Sequence, residues 1–283
     1  PFELGRADRI DAFYLPQKLY GRGRETAEML DAFTDRVLER GETAFMLVAG
    51  RPGTGKTSLV KELHQPITES RGYFIEGKFD QYKRTIPYFG LKQALTRLVD
   101  AWLTESEELV AAIAETLREA LGQAGQVMVD LAPSLELVIG PQPETPELSG
   151  VAAQNRFNYV CRNFFRSIAT AEHPLVLFID DLQWADLASL NLLSLLLTDS
   201  RMAHLFLIGA YRDSETPPSH PLMLLLADLA KQDVRVETIQ VGNLSEKDVA
   251  ALCADALLVE SQSVIRLARL IHTKTLGNPF FVI

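Results

Sequence analysis

The chain has 283 residues, of which 47% are hydrophobic and 23% charged, and its formal net charge at pH 7 is −9. These values fit one large α/β domain, or a domain with a small appendage, and the acidic balance argues against non-specific DNA binding. No apolar run reaches the length of a membrane span and no signal-peptide pattern is present, so we expect a cytoplasmic protein. Cys161 and Cys253 lack metal-ligand or disulfide spacing, and we expect inert, buried thiols.

Taken in chain order, the apolar patterns predict a sheet of five buried strands with helices between them. Residues 1–19 mix proline, glycine and charge, and we interpret them as a linker from a preceding domain. A helix is predicted over residues 24–40. The predicted strands are residues 44–49, 72–79, 175–180, 205–210 and 234–241. Buried strands that alternate with helical segments imply a parallel sheet covered on both faces.

The remaining segments are predicted to be mostly helical. Between the second and third strands we expect helices near residues 91–102, 109–121 and 155–170, with an exposed proline-rich loop at 140–146. A leucine-rich helix follows at 188–197. Ser245 suits a helix N-cap, and the helical pattern after it predicts the start of a small lid. We therefore divide the chain into the linker, a core at 20–243 and a truncated lid at 244–283.

The most specific signal is the segment GRPGTGKT at residues 50–57, which follows the first strand and precedes a helix. This is the phosphate-loop pattern GxxxxGK(S/T) in the context that gives it meaning. Its glycines let the backbone approach anionic oxygens, which the loop N–H groups and the next helix N-terminus then face. We expect Lys56 to reach the β- and γ-phosphates and Thr57 to complete a magnesium shell. A chance glycine-rich turn is the weaker interpretation.

Two carboxylates, Asp180 and Asp181, follow the third predicted strand. Ligands of open α/β sheets bind at this carboxyl edge of the strands. We expect Asp180 to hold magnesium, directly or through a water, together with Thr57, and Asp181 to orient or polarise an attacking water. The alternatives are a simple Asp-Asp turn and, for the base, Glu76 near the end of the second strand.

Six further segments form a recognisable set: LYGRGRE at 19–25, GKFDQYKRTIPY at 77–88, QNRFN at 154–158, LFIDDLQWADLASLNLL at 177–193, GAYRD at 209–213 and GNPFFV at 277–282. Together they resemble the signal-transduction ATPases with numerous domains, a branch of the AAA+ superfamily. They are most similar to the ATPase module of large bacterial proteins that join it to a serine/threonine-kinase-like domain, a GAF domain and often a histidine kinase. The resemblance implies an AAA+ P-loop fold with a five-stranded parallel sheet of order 5-1-4-3-2.

The resemblance also implies roles for residues outside the phosphate loop. Tyr20, Gly21 and Arg22 match the segment that packs against adenine, although a helix-entry turn would explain them too. Arg212 matches the sensor-1 arginine, with a surface ion pair to Asp213 as the alternative. Pro279 matches a lid proline that touches adenine, or it simply ends a helix. Gly23 departs from the usual glutamate, so any contact by that carboxylate is in doubt.

Together, the motifs and the resemblance predict binding of ATP or ADP with Mg²⁺. The nucleotide-binding candidates are Tyr20, Gly21, Arg22, Gly50, Arg51, Pro52, Gly53, Thr54, Gly55, Lys56, Thr57, Ser58, Arg212 and Pro279. The catalytic candidates are Lys56, Asp181 and Arg212, and the metal ligands are Thr57 and Asp180. Lys78, Lys83, Arg84 and Arg156 receive no assigned role, since each could be a phosphate sensor, an arginine finger or a solvated charge.

The resulting hypothesis is a slow ATPase that acts as a regulatory switch for fused kinase-like, GAF and histidine-kinase domains. The alternative is an oligomeric AAA+ remodelling or DNA-associated ATPase, although the acidic charge makes nucleic acid an unfavoured partner. A GTPase is weaker still, because no segment supplies the (N/T)KxD pattern that recognises guanine. A site that binds without hydrolysing, and a homo-oligomer, both stay open.

Overall fold

Five parallel strands form the central sheet in the computed structural model, which describes residues 18–283. The predicted linker over residues 1–19 therefore lies outside the described residues, apart from its last two positions. The strands are β1 (Thr43–Ala49), β2 (Tyr73–Lys78), β3 (Leu175–Asp180), β4 (Leu205–Tyr211) and β5 (Val236–Gln240). Their order, β2-β3-β4-β1-β5, is the predicted order 5-1-4-3-2 read from the other edge, so that prediction is confirmed.

The three central strands explain why the sequence forms a parallel sheet. Nearly every residue of β1, β3 and β4 is buried, whereas the edge strands β2 and β5 are partly exposed. Continuous apolar runs suit strands that are covered on both faces. All neighbouring strands pair in parallel, with Ala49 opposite Tyr211 and Lys78 opposite Asp180. The polar residues that follow each strand therefore meet at one edge of the sheet.

Helices cover both faces of this sheet. They are α1 (Gly23–Asp31), which continues as a π-helix over Ala32–Glu39, α2 (Lys56–Lys61), α3 (His64–Glu69), α4 (Phe89–Trp102), α5 (Glu107–Leu121), α6 (Gln126–Leu131), α7 (Glu136–Ile139), α8 (Gly150–Ile168), α9 (Leu187–Leu197) and α10 (Pro221–Lys231). One apolar core lies under α1 to α3 and another under α4 to α10. No helix within residues 18–283 is both long and apolar enough to cross a membrane.

Three further helices follow β5 and build a small core of their own. They are α11 (Glu246–Leu257), α12 (Ile265–Thr275) and α13 (Pro279–Val282). Ser245 caps α11 as predicted, and the Asp248 carboxylate accepts a hydrogen bond from the Ser245 backbone in return. Tyr20, from the start of the described chain, packs into this small core. We call residues 244–283 the lid, and the domain boundaries themselves remain a prediction.

Both cysteines are buried, in agreement with the sequence. Burial raises the pKa of the Cys161 thiol to about 12 and also raises the pKa of Cys253. Because the thiolate is the nucleophile, both groups are poorly reactive in the folded protein.

The contact between β2 and α4 depends on glycine. A Cβ atom added to Gly77 would overlap the carbonyl oxygen of Gly90, so the helix can approach the strand only where no side chain intervenes. Gly77 precedes Lys78, and this close approach therefore sets the position of the end of β2.

We expect Gly77→Ala to lower the free energy of unfolding by about 1–3 kcal/mol, because α4 must move away from β2. Gly23→Ala is the matched control: its Cβ meets no atom within 4 Å. Since Gly23 begins α1, alanine there should stabilise by about 0.4–1 kcal/mol. Urea unfolding followed by circular dichroism measures both, and equal stability of the two variants would contradict the packing argument.

Candidate nucleotide-binding site

A cleft of about 530 Å³ lies at the carboxyl edge of the sheet. This volume falls within the usual range for small-molecule sites. The structure brings several predicted residues from distant parts of the chain to its walls. They are Lys56, Thr57, Asp180, Asp181, Arg212 and Pro279. Pro52, Gly53, Gly55 and Ser58 from the phosphate loop and α2 line it as well.

The phosphate loop holds the backbone shape that its glycines allow. Gly53 and Gly55 have φ values of +78° and +89°, which side-chain-bearing residues rarely adopt. The Lys56 ammonium donates to the carbonyl oxygens of Gly50 at 2.8 Å and Arg51 at 3.0 Å, and so lies across the loop. Burial lowers the pKa of Lys56, and the nearby charge of Asp180 offsets part of that effect. The phosphate loop thus holds the buried Lys56 ammonium against its own backbone.

Thr57 and Asp180 meet across the cleft. The Thr57 hydroxyl donates to Asp180 Oδ2 at 2.9 Å, which joins the start of α2 to the end of β3. Oxygen ligands of this kind suit Mg²⁺, which usually keeps several waters and binds substrate phosphates as well. Within residues 18–283 no group of three or more His, Cys, Asp or Glu side chains is placed to hold a metal ion. The Thr57 hydroxyl and the Asp180 carboxylate are oxygen donors that would suit a magnesium ion whose other ligands come from a nucleotide.

Asp181 is buried and held by three partners. Its φ of +55° lies in the left-handed region, which side-chain-bearing residues rarely adopt. Asp181 Oδ1 accepts from Gln183 Nε2 at 2.8 Å and lies 3.4 Å from Arg212 Nε, while Oδ2 lies 3.0 Å from Lys78 Nζ. Its carboxylate is thus fixed in place at the cleft. The predicted role as base remains a prediction.

Lys78 is a cleft residue to which the sequence assigned no role. It ends β2, lines the cleft, and its ammonium also lies 3.6 Å from Asp180 Oδ2. Burial alone would lower the pKa of Lys78, but the hydrogen bond to Asp181 and the charge of Asp180 outweigh it, so the pKa is raised. The sequence signal for Lys78 was its position in the family-like segment at 77–88, near the end of the second predicted strand.

Arg212 follows β4 and faces the same carboxylate. Its Nη1 donates to Glu215 at 2.8 Å, and its guanidinium carbon lies 4.7 Å from the centroid of the Trp184 ring. Asp213, the ion-pair partner considered from the sequence, accepts from Gln240 instead. Arg212 is therefore held at the cleft by groups other than the expected neighbour.

The segment from Tyr20 to Arg22 connects the lid to the phosphate loop. The Tyr20 hydroxyl donates to Asp255 at 2.7 Å, and Gly21, with φ of +63°, lies against Asp248. Arg22 is buried and donates to the Thr54 carbonyl at 3.1 Å. Burial, reinforced by Asp255, raises the pKa of Tyr20. The Tyr20 ring is only 7% exposed within the lid core, so its contact with adenine remains a prediction.

The end of the lid also contacts the phosphate loop. Asn278 Nδ2 donates to the Pro52 carbonyl at 3.0 Å, and the Phe280 N–H donates to the Gly53 carbonyl at 3.2 Å. Pro279 and Phe280 line the cleft between these two bonds. The adenine contact of Pro279 is still a prediction, but its place at the cleft is clear. The sequence did not identify Asn278.

The other groups that the sequence left unassigned lie elsewhere. Glu76 lies 3.9 Å from Lys61 and pairs with Arg97, and it is not among the residues that line the cleft. Arg84 donates to the Gln183 carbonyl at 3.3 Å, behind the Asp-Asp pair. Arg156 donates to the Pro146 carbonyl at 2.6 Å. Of these three side chains, only Arg84 contacts a residue, Gln183, that is itself bonded to Asp181.

Comparison with known proteins places the chain among nucleotide-binding relatives. Residues 18–208 match a family model described as AAA ATPase domain. A curated relative, hybrid signal transduction histidine kinase G of Dictyostelium discoideum, is 34% identical over 196 residues. That alignment covers 69% of this chain but 6% of the relative, so the chain spans a small part of that protein's length.

Solved structures share the fold at low sequence identity. Cdc6p from Pyrobaculum aerophilum superposes with a TM-score of 0.53 at 14% identity, covering 95% of this chain and 60% of that one. The ORC2 protein of Aeropyrum pernix, solved in ADPNP–ADP complexes, gives 0.54 at 10% identity, covering 95% and 61%. At such identities these neighbours show the fold alone.

We expect Asn278→Asp to weaken nucleotide binding by about tenfold. The aspartate still accepts from the Phe280 N–H, but it cannot donate to Pro52 and it adds a negative charge beside the phosphate loop. Asn243→Asp is the control, because Asn243 likewise donates to a carbonyl, that of Leu276, and neither of these residues lines the cleft. Titration with a fluorescent ADP measures both, and equal affinities in the two variants would contradict a role for the lid end.

Proposed function

Because the chain belongs to the AAA ATPase domain family, as its motifs predicted, we propose that it is an ATP-binding, slowly hydrolysing switch within a larger signalling protein. One observation carries the proposal. The phosphate loop, the Thr57–Asp180 pair and the Asp181–Arg212 pair converge on one cleft, and the end of the lid contacts the same loop. The groups proposed for nucleotide binding, for hydrolysis and for contact with the lid therefore lie in one cleft.

In this proposal each charged group acts on a different part of the triphosphate. The loop N–H groups and Lys56 bind the β- and γ-phosphates. Thr57 and Asp180 would hold Mg²⁺, which would supply positive charge to the phosphates. Arg212 pairs with a γ-phosphate oxygen, for which its planar guanidinium is suited. Pro279, which lines the cleft, and Tyr20, which is buried in the lid core, are the residues proposed to contact adenine.

Asp181 is the proposed base that orients the attacking water. Its Oδ1 and Oδ2 are already fixed by Gln183 and Lys78, so the carboxylate needs little reorganisation. Lys78 lies on the same carboxylate and adds positive charge where phosphate charge collects. Glu76, tied to Arg97 and Lys61, is the weaker candidate.

Regulation follows from the contacts between the lid and the loop. A γ-phosphate biases a conformational balance only through contacts that differ between the two states. Arg212, Asn278 and Pro279 are the groups at which loop, phosphate and lid meet. The signalling name of the Dictyostelium relative and the bacterial multidomain pattern of the motifs support a cytoplasmic module fused to kinase-like, GAF or histidine-kinase domains.

We expect Asp181→Asn to retain ATP binding but to lower the hydrolysis rate by about 100-fold, since the amide cannot accept the water proton. Glu76→Gln tests the alternative base and should leave the rate unchanged, because Glu76 lies with Arg97 away from the cleft walls. Single-turnover release of phosphate measures both rates. Normal hydrolysis by Asp181→Asn, with loss in Glu76→Gln, would reverse the assignment.

We expect slow turnover, below roughly 10 per second, because a switch requires a long-lived nucleotide state rather than flux. Steady-state phosphate release at saturating ATP and Mg²⁺ measures it. Lys56→Ala should lose ATP binding and gives the background, whereas Lys61→Ala, an exposed position on the same helix, should behave as wild type. Faster turnover, or activity that rises with ring formation in light scattering, would favour the remodelling ATPase instead.

A further inference from the structure

A buried glutamine lies between the two strand ends that carry the proposed catalytic groups. Gln183 belongs to the short turn Leu182–Trp184 after β3, and it is 2% exposed. A buried amide is costly unless both its donor and its acceptor are paired. The partners of this amide therefore indicate why a glutamine occupies the position.

The two ends of the Gln183 amide contact two different candidate residues. Its Nε2 donates to Asp181 Oδ1 at 2.8 Å, and its Oε1 accepts from the backbone N–H of Arg212 at 3.1 Å. Asp181 follows β3 and Arg212 follows β4, so the amide spans neighbouring strands. A single side chain thus fixes the carboxylate of one residue and the backbone of the other.

The turn that carries Gln183 is itself held from both sides. The Gln183 carbonyl accepts from Arg84 Nη2 at 3.3 Å and lies 3.1 Å from His220 Nε2. Because His220 Nδ1 accepts the N–H of Leu222 at the start of α10, its proton resides on Nε2, which donates to Gln183.

Packing fixes the rest of the turn. Leu182 packs against Gly209 of β4, where a Cβ atom would overlap its side chain. On the other side of Gln183, the Trp184 ring supports the Arg212 guanidinium at 4.7 Å. Every residue of the turn is therefore in contact with β4 or with Arg212.

We propose that Gln183 is a positioning residue that sets the distance and orientation between the Asp181 carboxylate and Arg212. Gln183 is not among the residues that line the cleft, and it acts through these two groups. The inference rests on the proposed function, since it concerns the site that would hydrolyse ATP. In this arrangement hydrolysis and γ-phosphate sensing are coupled through the Gln183 amide, and removal of that amide impairs both.

The test uses Gln183→Met, which keeps the length of the unbranched side chain and removes both hydrogen bonds. Gln142→Met is the matched control, because the Gln142 amide also makes two hydrogen bonds, to the carbonyls of Ile139 and Gly140, but lies in the loop between α7 and α8. Thermal unfolding of both variants shows whether each is folded at the assay temperature.

In Gln183→Met we expect kcat to fall by about 10- to 100-fold, since small misplacement of catalytic groups costs this much. The Kd for ADP should stay within about twofold, because the phosphate loop is intact. The preference for ATPγS over ADP in direct binding should fall by about threefold or more, because Arg212 loses its backbone support. Gln142→Met should match wild type in all three.

Unchanged kcat and unchanged ATPγS preference in a folded Gln183→Met variant would overturn the inference and leave the proposed function intact. A uniform loss of ADP and ATPγS affinity would also overturn it, since that result describes a structural defect. If the wild-type protein binds neither nucleotide, the proposed function fails and the inference fails with it.

Discussion

The site depends on the parallel alignment of β1, β3 and β4, whose carboxyl ends meet at one edge of the sheet. Nearly all residues of these strands are buried, so their register cannot slip without exposing apolar side chains to water. This fixed register places the phosphate loop after β1 opposite the carboxylates after β3. The hydrogen bond from Thr57 to Asp180 is the direct consequence, and it joins two segments separated by 123 positions.

Electrostatics decides what this edge of the sheet can bind. Lys56, Asp180 and Asp181 are each less than 10% exposed, and ionised groups at such positions are stable only with partners. The two carboxylates are paired with Lys78 and Arg212, and Lys56 with loop carbonyls. Cations thus surround the carboxylates within one cleft. An anionic ligand with a bound divalent cation fits this arrangement, because its negative charge can pair with the cationic side chains and its metal with the carboxylates.

The lid contributes a second constraint, because it contacts the core at two separate points. Tyr20 packs into the lid core at one end, and Asn278 bonds to the phosphate loop at the other. Arg22 connects the Tyr20 segment to Thr54 of the loop. A change in the conformation of the phosphate loop therefore alters the hydrogen bonds from Arg22 and Asn278 that connect it to the lid. The proposed switch relies on this connection.

The amino-acid sequence by itself determined the five buried strands, the phosphate loop and the Asp-Asp pair, whereas the strand order was implied by the resemblance to a known family. The strands, the loop and the Asp-Asp pair are encoded in contiguous segments, in which backbone preferences and burial periodicity act over a few residues. Predicted strand limits differed from the observed ones by at most two residues: the edge strands β2 and β5 are shorter than predicted, and β1 and β4 are each one residue longer. The predicted helix near Thr57 ends at Lys61, and a second helix begins at His64.

Only the tertiary structure decided which side chains meet across the cleft. Lys78 at Asp181, Gln183 between Asp181 and Arg212, and Asn278 at the phosphate loop each bring together residues that the sequence keeps apart. Tyr20 likewise entered the lid core instead of the cleft wall. The physical reason is that a local motif fixes its own backbone, whereas a long-range pair depends on strand register and on the packing of other elements.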